Sequence, residues 1–119
     1  MKLSVVRHHA LSLPEVEEKP HFDYASFRVR GKIFVTVPPD EEHIHVFLGP
    51  EQRGAALDAW PSFLEELKWG KKVLGLRVSL DLATPTVVKR LVRQAWLSKA
   101  PKSLRSKLAA SPQAGEDEP

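Results

Sequence analysis

The sequence predicts one α+β domain in which helices cover one face of an antiparallel sheet of about five strands, in the order α-β-β-β-α-β-β-α. Two segments repeat apolar residues every three or four positions, as amphipathic helices do. Between them, several short segments alternate apolar and polar residues, as half-buried strands do. A glycine turn between the first two of these segments favours antiparallel pairing.

The first predicted helix covers residues 2–13, and Pro14 ends it because proline cannot continue a helix. Its apolar face consists of residues three or four positions apart: Leu3, Val6, Ala10 and Leu13. The acidic segment 15–19 that follows shows no apolar alternation. We therefore expect a loop there.

Three predicted strands come next. Residues 26–30 and 33–37 form a hairpin with Gly31-Lys32 at its turn. Residues 43–48 form the third strand, whose two faces are Ile44, Val46 and Leu48 on one side and His43, His45 and Phe47 on the other.

The second half predicts two further helices and at least one strand. Pro50 begins a short connecting helix, and Thr84-Pro85 begins the last long helix. Residues 63–69 fit a strand or a helix. Residues 72–80 alternate as a strand, with Leu74, Leu76, Val78 and Leu80 on one face. Lys102 begins a segment that can add one basic turn after the long helix. The expected core contains Val29, Ile33, Val35, Ile44, Val46, Leu76, Val78, Leu91 and Ala95.

The length of 119 residues corresponds to a single domain. We expect residues 1–108 to form it and residues 109–119, which are small, polar and acidic at the end, to form a disordered tail. The absence of cysteine excludes a disulfide scaffold, a thiol nucleophile and a thiolate zinc site. With no apolar run of bilayer length, the expectation is a soluble cytoplasmic protein with no membrane partner.

Charge is distributed unevenly along the chain. Residues 1–67 carry seven Lys or Arg and eleven Asp or Glu, whereas residues 68–107 carry eleven Lys or Arg and only Asp81 as an acid. Such asymmetry favours an anionic partner. Solvated cations that keep the protein soluble explain it equally well.

Two sets of bases are candidates for phosphate contacts. The first lies on the predicted hairpin, with two guanidinium groups on one strand face and an ammonium group at the turn: Arg28, Arg30 and Lys32. The second lies on the last helix, away from its apolar stripe: Lys89, Arg90 and Arg93. The alternative for the hairpin set is a solvated strand face whose cations oppose Glu15, Glu17, Glu18 or Asp23, and the alternative for the second set is an ordinary amphipathic helix.

A metal site or an enzyme is not expected. His43 and His45 point the same way from a strand near three acids, which suits a divalent metal, but the spacing fixes no third ligand and a solvated edge explains them. The sequence contains no Gly-x-Ser-x-Gly motif, no phosphate-binding glycine loop and no dinucleotide fingerprint. We therefore expect no catalytic residues and no cofactor.

Five segments carry a recognisable combination of motifs: residues 10–16, residues 27–34, Trp69-Gly70, Ala95-Trp96 and Ala100-Pro101-Lys102. Together they resemble the MmcQ/YjbR family of small bacterial proteins. The resemblance spans nearly the whole chain and implies an α+β fold similar to that of bacterial frataxin, together with a DNA-binding role. Many members carry Tyr-His-Met-Asn-Lys before the last strands, whereas this chain has Phe-Leu-Glu-Glu-Leu-Lys-Trp at residues 63–69.

The functional expectation is a non-enzymatic DNA-binding protein that contacts phosphates through the basic hairpin and the basic last helix. Binding is expected to be weak and nonspecific in sequence, because no side chain is set on an evident recognition helix to read base edges. One alternative is an interaction module that binds a protein or a small ligand. The other is a metal-linked role through His43 and His45.

Overall fold

The computed structural model describes residues 1–109 and confirms the α+β class, with a six-stranded antiparallel sheet and four helices. The helices are α1 (Leu3–Ser12), α2 (Pro50–Ala59), α3 (Pro85–Lys99) and α4 (Lys102–Ala109). The strands are β1 (Val16–His21), β2 (Tyr24–Val29), β3 (Lys32–Val37), β4 (His43–Val46), β5 (Leu64–Trp69) and β6 (Lys72–Ser79). They lie in the order β1-β2-β3-β4-β6-β5.

The expected tail overlaps the end of α4 by one residue, and residues 110–119 lie outside the described part of the chain. The segment expected to add one basic turn is a two-turn helix that buries Leu104 and Leu108. Within the described residues, no helix has both the length and the apolar character needed to cross a bilayer.

β1 corrects the prediction of an acidic loop at residues 15–19. The segment pairs with β2 along its whole length, from Val16 opposite Val29 to His21 opposite Tyr24. It is an edge strand whose four central residues are exposed, so it has no apolar face and no alternation to detect. Pro20 fits because one side of an edge strand needs no donor.

The turn of the β2–β3 hairpin is Arg30-Gly31, not Gly31-Lys32. Both turn residues have a positive φ, 50° and 79°, which is the geometry of a two-residue turn that follows the twist of its strands. Glycine adopts this conformation without strain. The sequence predicted that Arg28 and Arg30 share a strand face. They do not, because β2 has already ended at Val29.

The core lies between one face of the sheet and helices α1 and α3. We call this face the helix face; it presents Val35, Ile44, Val46, Leu76 and Val78, all fully buried. α3 contributes the stripe predicted from sequence, and its fully buried Trp96 donates a hydrogen bond of 3.1 Å from Nε1 to the carbonyl of Pro14. Every expected core residue is buried except Ile33.

A β-bulge in β3 explains why Ile33 is not in the core, and a second β-bulge in β6 has the same effect on Leu74. In β3, Phe34 has no partner in β2, so Phe34 enters the core and Ile33 turns to the other face. In β6, Leu74 has no partner in β5. In a regular strand Leu74 would face the core like Leu76, but its side chain is exposed on the other face. An extra residue reverses the alternation of a strand beyond it. We call the face that receives Ile33 and Leu74 the open face.

β4 is shorter than its neighbours, and Gly75 packs against the point where it ends. A Cβ atom at Gly75 would collide with the carbonyl oxygen of Val46 and lie 2.9 Å from Cα of Phe47. Only glycine fits such a close approach of two backbones. Beyond Val46, β3 and β6 continue without a strand between them.

Candidate functional site

The β2–β3 turn and the β5–β6 turn lie at the same end of the sheet, which we call the hairpin end. Val35, Val46 and Leu76 are aligned across β3, β4 and β6, so the starts of β3 and β6 lie at the same end. The last turns of α3 are there too, because Trp96 bonds to Pro14, just before β1. α4 follows directly, and the charge of Lys107 acts on Glu15 at this end.

Seven bases from these elements surround the hairpin end. They are Arg30, Lys32, Lys71, Lys72, Lys102, Arg105 and Lys107. Within the described residues, Arg30 is the one of the seven that forms an ion pair. The hairpin end therefore carries a concentrated positive charge that local carboxylates leave largely uncompensated.

The three predicted hairpin bases have different environments. Arg28 lies on the open face, where its Nε donates to the Ser26 hydroxyl at 3.0 Å. Arg30 donates two hydrogen bonds to Glu15, at 2.7 and 3.2 Å, and this contact lowers the pKa of Glu15. Lys32 is exposed, and no carboxylate contacts it within the described residues. Of the three predicted hairpin bases, Lys32 is therefore the one whose charged group is both exposed and unopposed by a carboxylate of the described residues.

The three predicted α3 bases lie on the helix side of the sheet. The backbone carbonyl of Lys89 faces α1 and lies 3.1 Å from Nε2 of His9. Arg90 lines a groove between α2 and α3, and Arg93 is half-buried. Because Arg28 is on the open face, the sheet separates it from these bases. The structure therefore does not bring all six predicted bases onto one surface.

The open face holds a cleft of about 530 Å³. Its apolar lining is Phe22, Tyr24, Ile33, Phe47, Leu67, Trp69 and Leu74, and its polar lining is His21, Asp23, Thr36, His45 and Lys99. The β1–β2 turn and the end of β5 belong to opposite edges of the sheet. Since both line one cleft, the open face is concave.

The cleft gathers exposed apolar residues. Phe22 is 91% exposed, Trp69 is 77% exposed, and Leu74 is 39% exposed. Contiguous exposed apolar surface of this kind marks a binding site more often than scattered single residues do. The sequence placed His45 and Phe47 on this face correctly but gave no signal that the two sheet edges approach each other.

His45 lies at the base of the cleft with one ring nitrogen unpaired. The residue is 5% exposed, its Nδ1 lies 3.4 Å from the Thr36 hydroxyl, and its Nε2 has no hydrogen-bond partner within the described residues. Burial, reinforced by nearby Arg77 and His43, lowers the pKa of His45 to about 4. The ring is therefore neutral at neutral pH.

The predicted pair His43 and His45 does not form a metal centre among the described residues. Nδ1 of His43 lies 2.9 Å from Asp40, whose pKa is lowered chiefly by the backbone N–H of Glu42. Nowhere in residues 1–109 do three or more His, Asp or Glu side chains gather in a way that suits a metal ion. The two histidines thus have no third ligand in this part of the chain.

The family and the solved structure to which this chain is similar support the α+β architecture described above. The sequence model of the YjbR family matches residues 11–98. The fold is similar to the crystal structure of Deinococcus radiodurans protein DR2400, a DUF419 domain, with a TM-score of 0.73, 18% identity, and coverage of 92% of this chain and 89% of that one. At that identity the likeness concerns the fold alone. No curated protein matches the chain in sequence. Since the family match covers well over half of its residues, the chain belongs to the YjbR family.

Proposed function

We propose that the protein is a non-enzymatic DNA-binding module whose hairpin end contacts backbone phosphates. The observation that carries the proposal is the set of seven bases at that end, of which only Arg30 has an ion pair among the described residues. Lysines on two neighbouring turns and on α4 supply the charge that phosphate binding requires. A cytoplasmic location is part of the same proposal.

The geometry favours phosphate contacts over base reading. Lys32, Lys71 and Lys72 lie at turns or strand starts and are exposed, so their ammonium groups can follow a charged backbone. Gly31 has no heavy atom near its missing Cβ position, which leaves room for a phosphate beside the turn. Contacts of this type hold a protein on DNA without selecting a sequence. Affinity is therefore expected to be micromolar or weaker and strongly salt-dependent.

Fluorescence anisotropy of a labelled duplex at several salt concentrations tests the proposal. For about five neutralised phosphates, the slope of log affinity against log salt is expected near −4 to −5. Replacing Lys32, Lys71 and Lys72 together by Gln should flatten the slope by about 2.5. The matched control replaces three α3 bases by Gln: Lys89, Arg90 and Arg93. It removes the same charge and should leave the slope unchanged.

Two results would contradict this assignment. Absence of binding at low salt would remove the DNA-binding function itself. A hairpin variant with the wild-type slope, or an α3 variant with the flattened one, would place the phosphate contacts on the helix side instead. Melting curves of both variants show that any loss of binding is not a loss of fold.

A further inference from the structure

We propose that the cleft on the open face binds a small aromatic carboxylate, with its ring among the apolar side chains, a polar substituent against Nε2 of His45, and its carboxylate toward Lys99. This site is separate from the seven bases of the hairpin end. The inference therefore does not depend on DNA binding.

The size and lining of the cleft suit a small molecule. A volume of about 530 Å³ lies in the range of small-ligand sites, which are mostly apolar and carry a few placed polar groups. Four of its apolar residues are aromatic: Phe22, Tyr24, Phe47 and Trp69. Aromatic side chains stack on flat rings or contact them edge to face. An aromatic ligand is therefore the class that this lining fits best.

His45 is the independent observation that points to a ligand. A buried polar nitrogen without a partner costs free energy, and native proteins rarely leave one. Nδ1 lies 3.4 Å from the Thr36 hydroxyl, so Nε2 is the buried nitrogen without a partner among the described residues, on a side chain that lines the cleft. The ring is neutral at neutral pH, so it exchanges a hydrogen bond with the ligand and not a charge.

Lys99 sets the expected charge of the ligand. Its side chain lines the cleft, and no carboxylate of the described residues forms an ion pair with it. The nearby hairpin end adds further positive potential. Asp23, the acid in the lining, lies at the β1–β2 turn and repels an anion from that side. A ligand that carries one negative group is therefore oriented with that group toward Lys99.

The two β-bulges support a binding role for the cleft. Without them, Ile33 and Leu74 would face the core, and the cleft would lack two of its aliphatic walls. Bulges occur frequently beside functional sites, where they redirect particular side chains. Here each bulge directs an apolar side chain to the open face, and the bulge in β3 also places Phe34 in the core.

Three related probes separate the contributions of the ring, the hydroxyl and the charge. They are 6-hydroxy-2-naphthoate, 2-naphthoate, which lacks the hydroxyl, and 2-naphthol, which lacks the carboxylate. Binding is followed by the NMR signals of backbone amides and tryptophan indoles. For the hydroxynaphthoate we expect saturable binding with Kd of about 0.1 to 1 mM. The Trp69 indole should shift, whereas the buried Trp96 indole should not.

The variants assign each contact. Lys99→Gln should weaken the hydroxynaphthoate about threefold and leave naphthol unchanged, because only the former carries the charge. His45→Phe should weaken the hydroxynaphthoate about fivefold and leave naphthoate unchanged. His45→Gln, which keeps a polar group, is the second variant if the Phe replacement disturbs the fold. Lys2→Gln, at the start of α1 on the helix side of the sheet, removes the same charge as Lys99→Gln and should alter none of the three affinities.

Three outcomes would overturn the assignment. Shifts that do not saturate, or that lie outside the cleft, would show that the cleft does not bind such ligands. Equal loss of all three probes in Lys99→Gln would show that the lysine does not contact a carboxylate. Tighter binding of dTMP than of the hydroxynaphthoate would replace the carboxylate by a nucleotide and join the cleft to the DNA surface.

Discussion

The two faces of the sheet are built from the same strands but differ in what covers them. On the helix face, Val35, Val46 and Leu76 are fully buried because α1 and α3 cover them. On the open face, Trp69 and Leu74 remain exposed. Residues 1–109 cover one of these two apolar surfaces and leave the other open. Stability is therefore expected to depend on the helix face and ligand binding on the open face.

Polar groups follow the same division. Trp96 on the helix side satisfies its indole N–H with the carbonyl of Pro14. His45 on the open face is buried as deeply as many core residues, yet its Nε2 has no partner among residues 1–109. A face that is complete by itself leaves no such atom. This difference is one of the observations behind the ligand site that we propose on the open face.

The largest expected effect is on unfolding, from the same leucine truncation made on each face. Leu91→Ala in α3 should lower the free energy of unfolding by about 2 to 5 kcal/mol, because it leaves a cavity in the core. Leu74→Ala on the open face should cost less than about 1 kcal/mol, because its side chain is already exposed. Urea unfolding of both variants measures the difference. Equal losses would show that the two faces do not differ in this way.

The pH dependence of stability sharpens the comparison at His45. Its pKa in the folded protein is about 4, below the unfolded value of 6.5, so the unfolded chain binds more protons between these values. The contribution of His45 to the free energy of unfolding should therefore be fully present above about pH 7. It should be lost as the pH drops toward 4, and the loss should be about 3 kcal/mol at most.

The variant His45→Gln isolates this contribution. Its stability should stay level between about pH 6.5 and 5 and decline only where Glu15 and Asp40, whose pKa values are lowered in the fold, become protonated. Unfolding free energies measured at closely spaced pH values give both profiles. Parallel profiles for wild type and His45→Gln would mean that His45 is not held neutral by burial.

A smaller loss of stability is expected where the backbones of β6 and β4 pack closely at Gly75. Gly75→Ala should destabilise by about 2 kcal/mol, because the new Cβ forces apart β6 and the end of β4. Gly54→Ala in α2 is the matched control, since its Cβ position is empty and alanine favours a helix. Gly54→Ala should be neutral or slightly stabilising in thermal melts. A neutral Gly75→Ala would mean that the two backbones are not in contact.

Sequence periodicity predicted the parts of the fold that have one buried face and uninterrupted register. The stripe of α3, from Val88 to Trp96, is buried as expected because a helix facing one core repeats reliably. β1 was missed because an edge strand with exposed residues has no apolar signal. Ile33 and Leu74 were assigned to the wrong face because a single unpaired residue in a strand reverses its alternation, and nothing in the local sequence reveals it.

The candidate sites show the same limit. Lys32 was predicted as a phosphate contact and is indeed exposed at the hairpin end. Arg30 was predicted as its partner, but it is bonded to Glu15, one of the acids that the alternative interpretation of the hairpin placed opposite these cations. The cleft could not be predicted, because Phe22 and Trp69 are far apart in sequence and meet only through the curvature of the sheet.

The charged character of β1 also has a consequence for how copies of the protein behave in concentrated solution. An edge strand presents unpaired backbone groups to which a strand from another molecule can add, and charged side chains or proline discourage this. β1 presents Glu17, Glu18 and Lys19, followed by Pro20, and the opposite edge strand β5 carries Glu65, Glu66 and Lys68. Both borders of the sheet thus resist self-association and fibril growth, which lets the chain keep an apolar cleft open without polymerising through its edges.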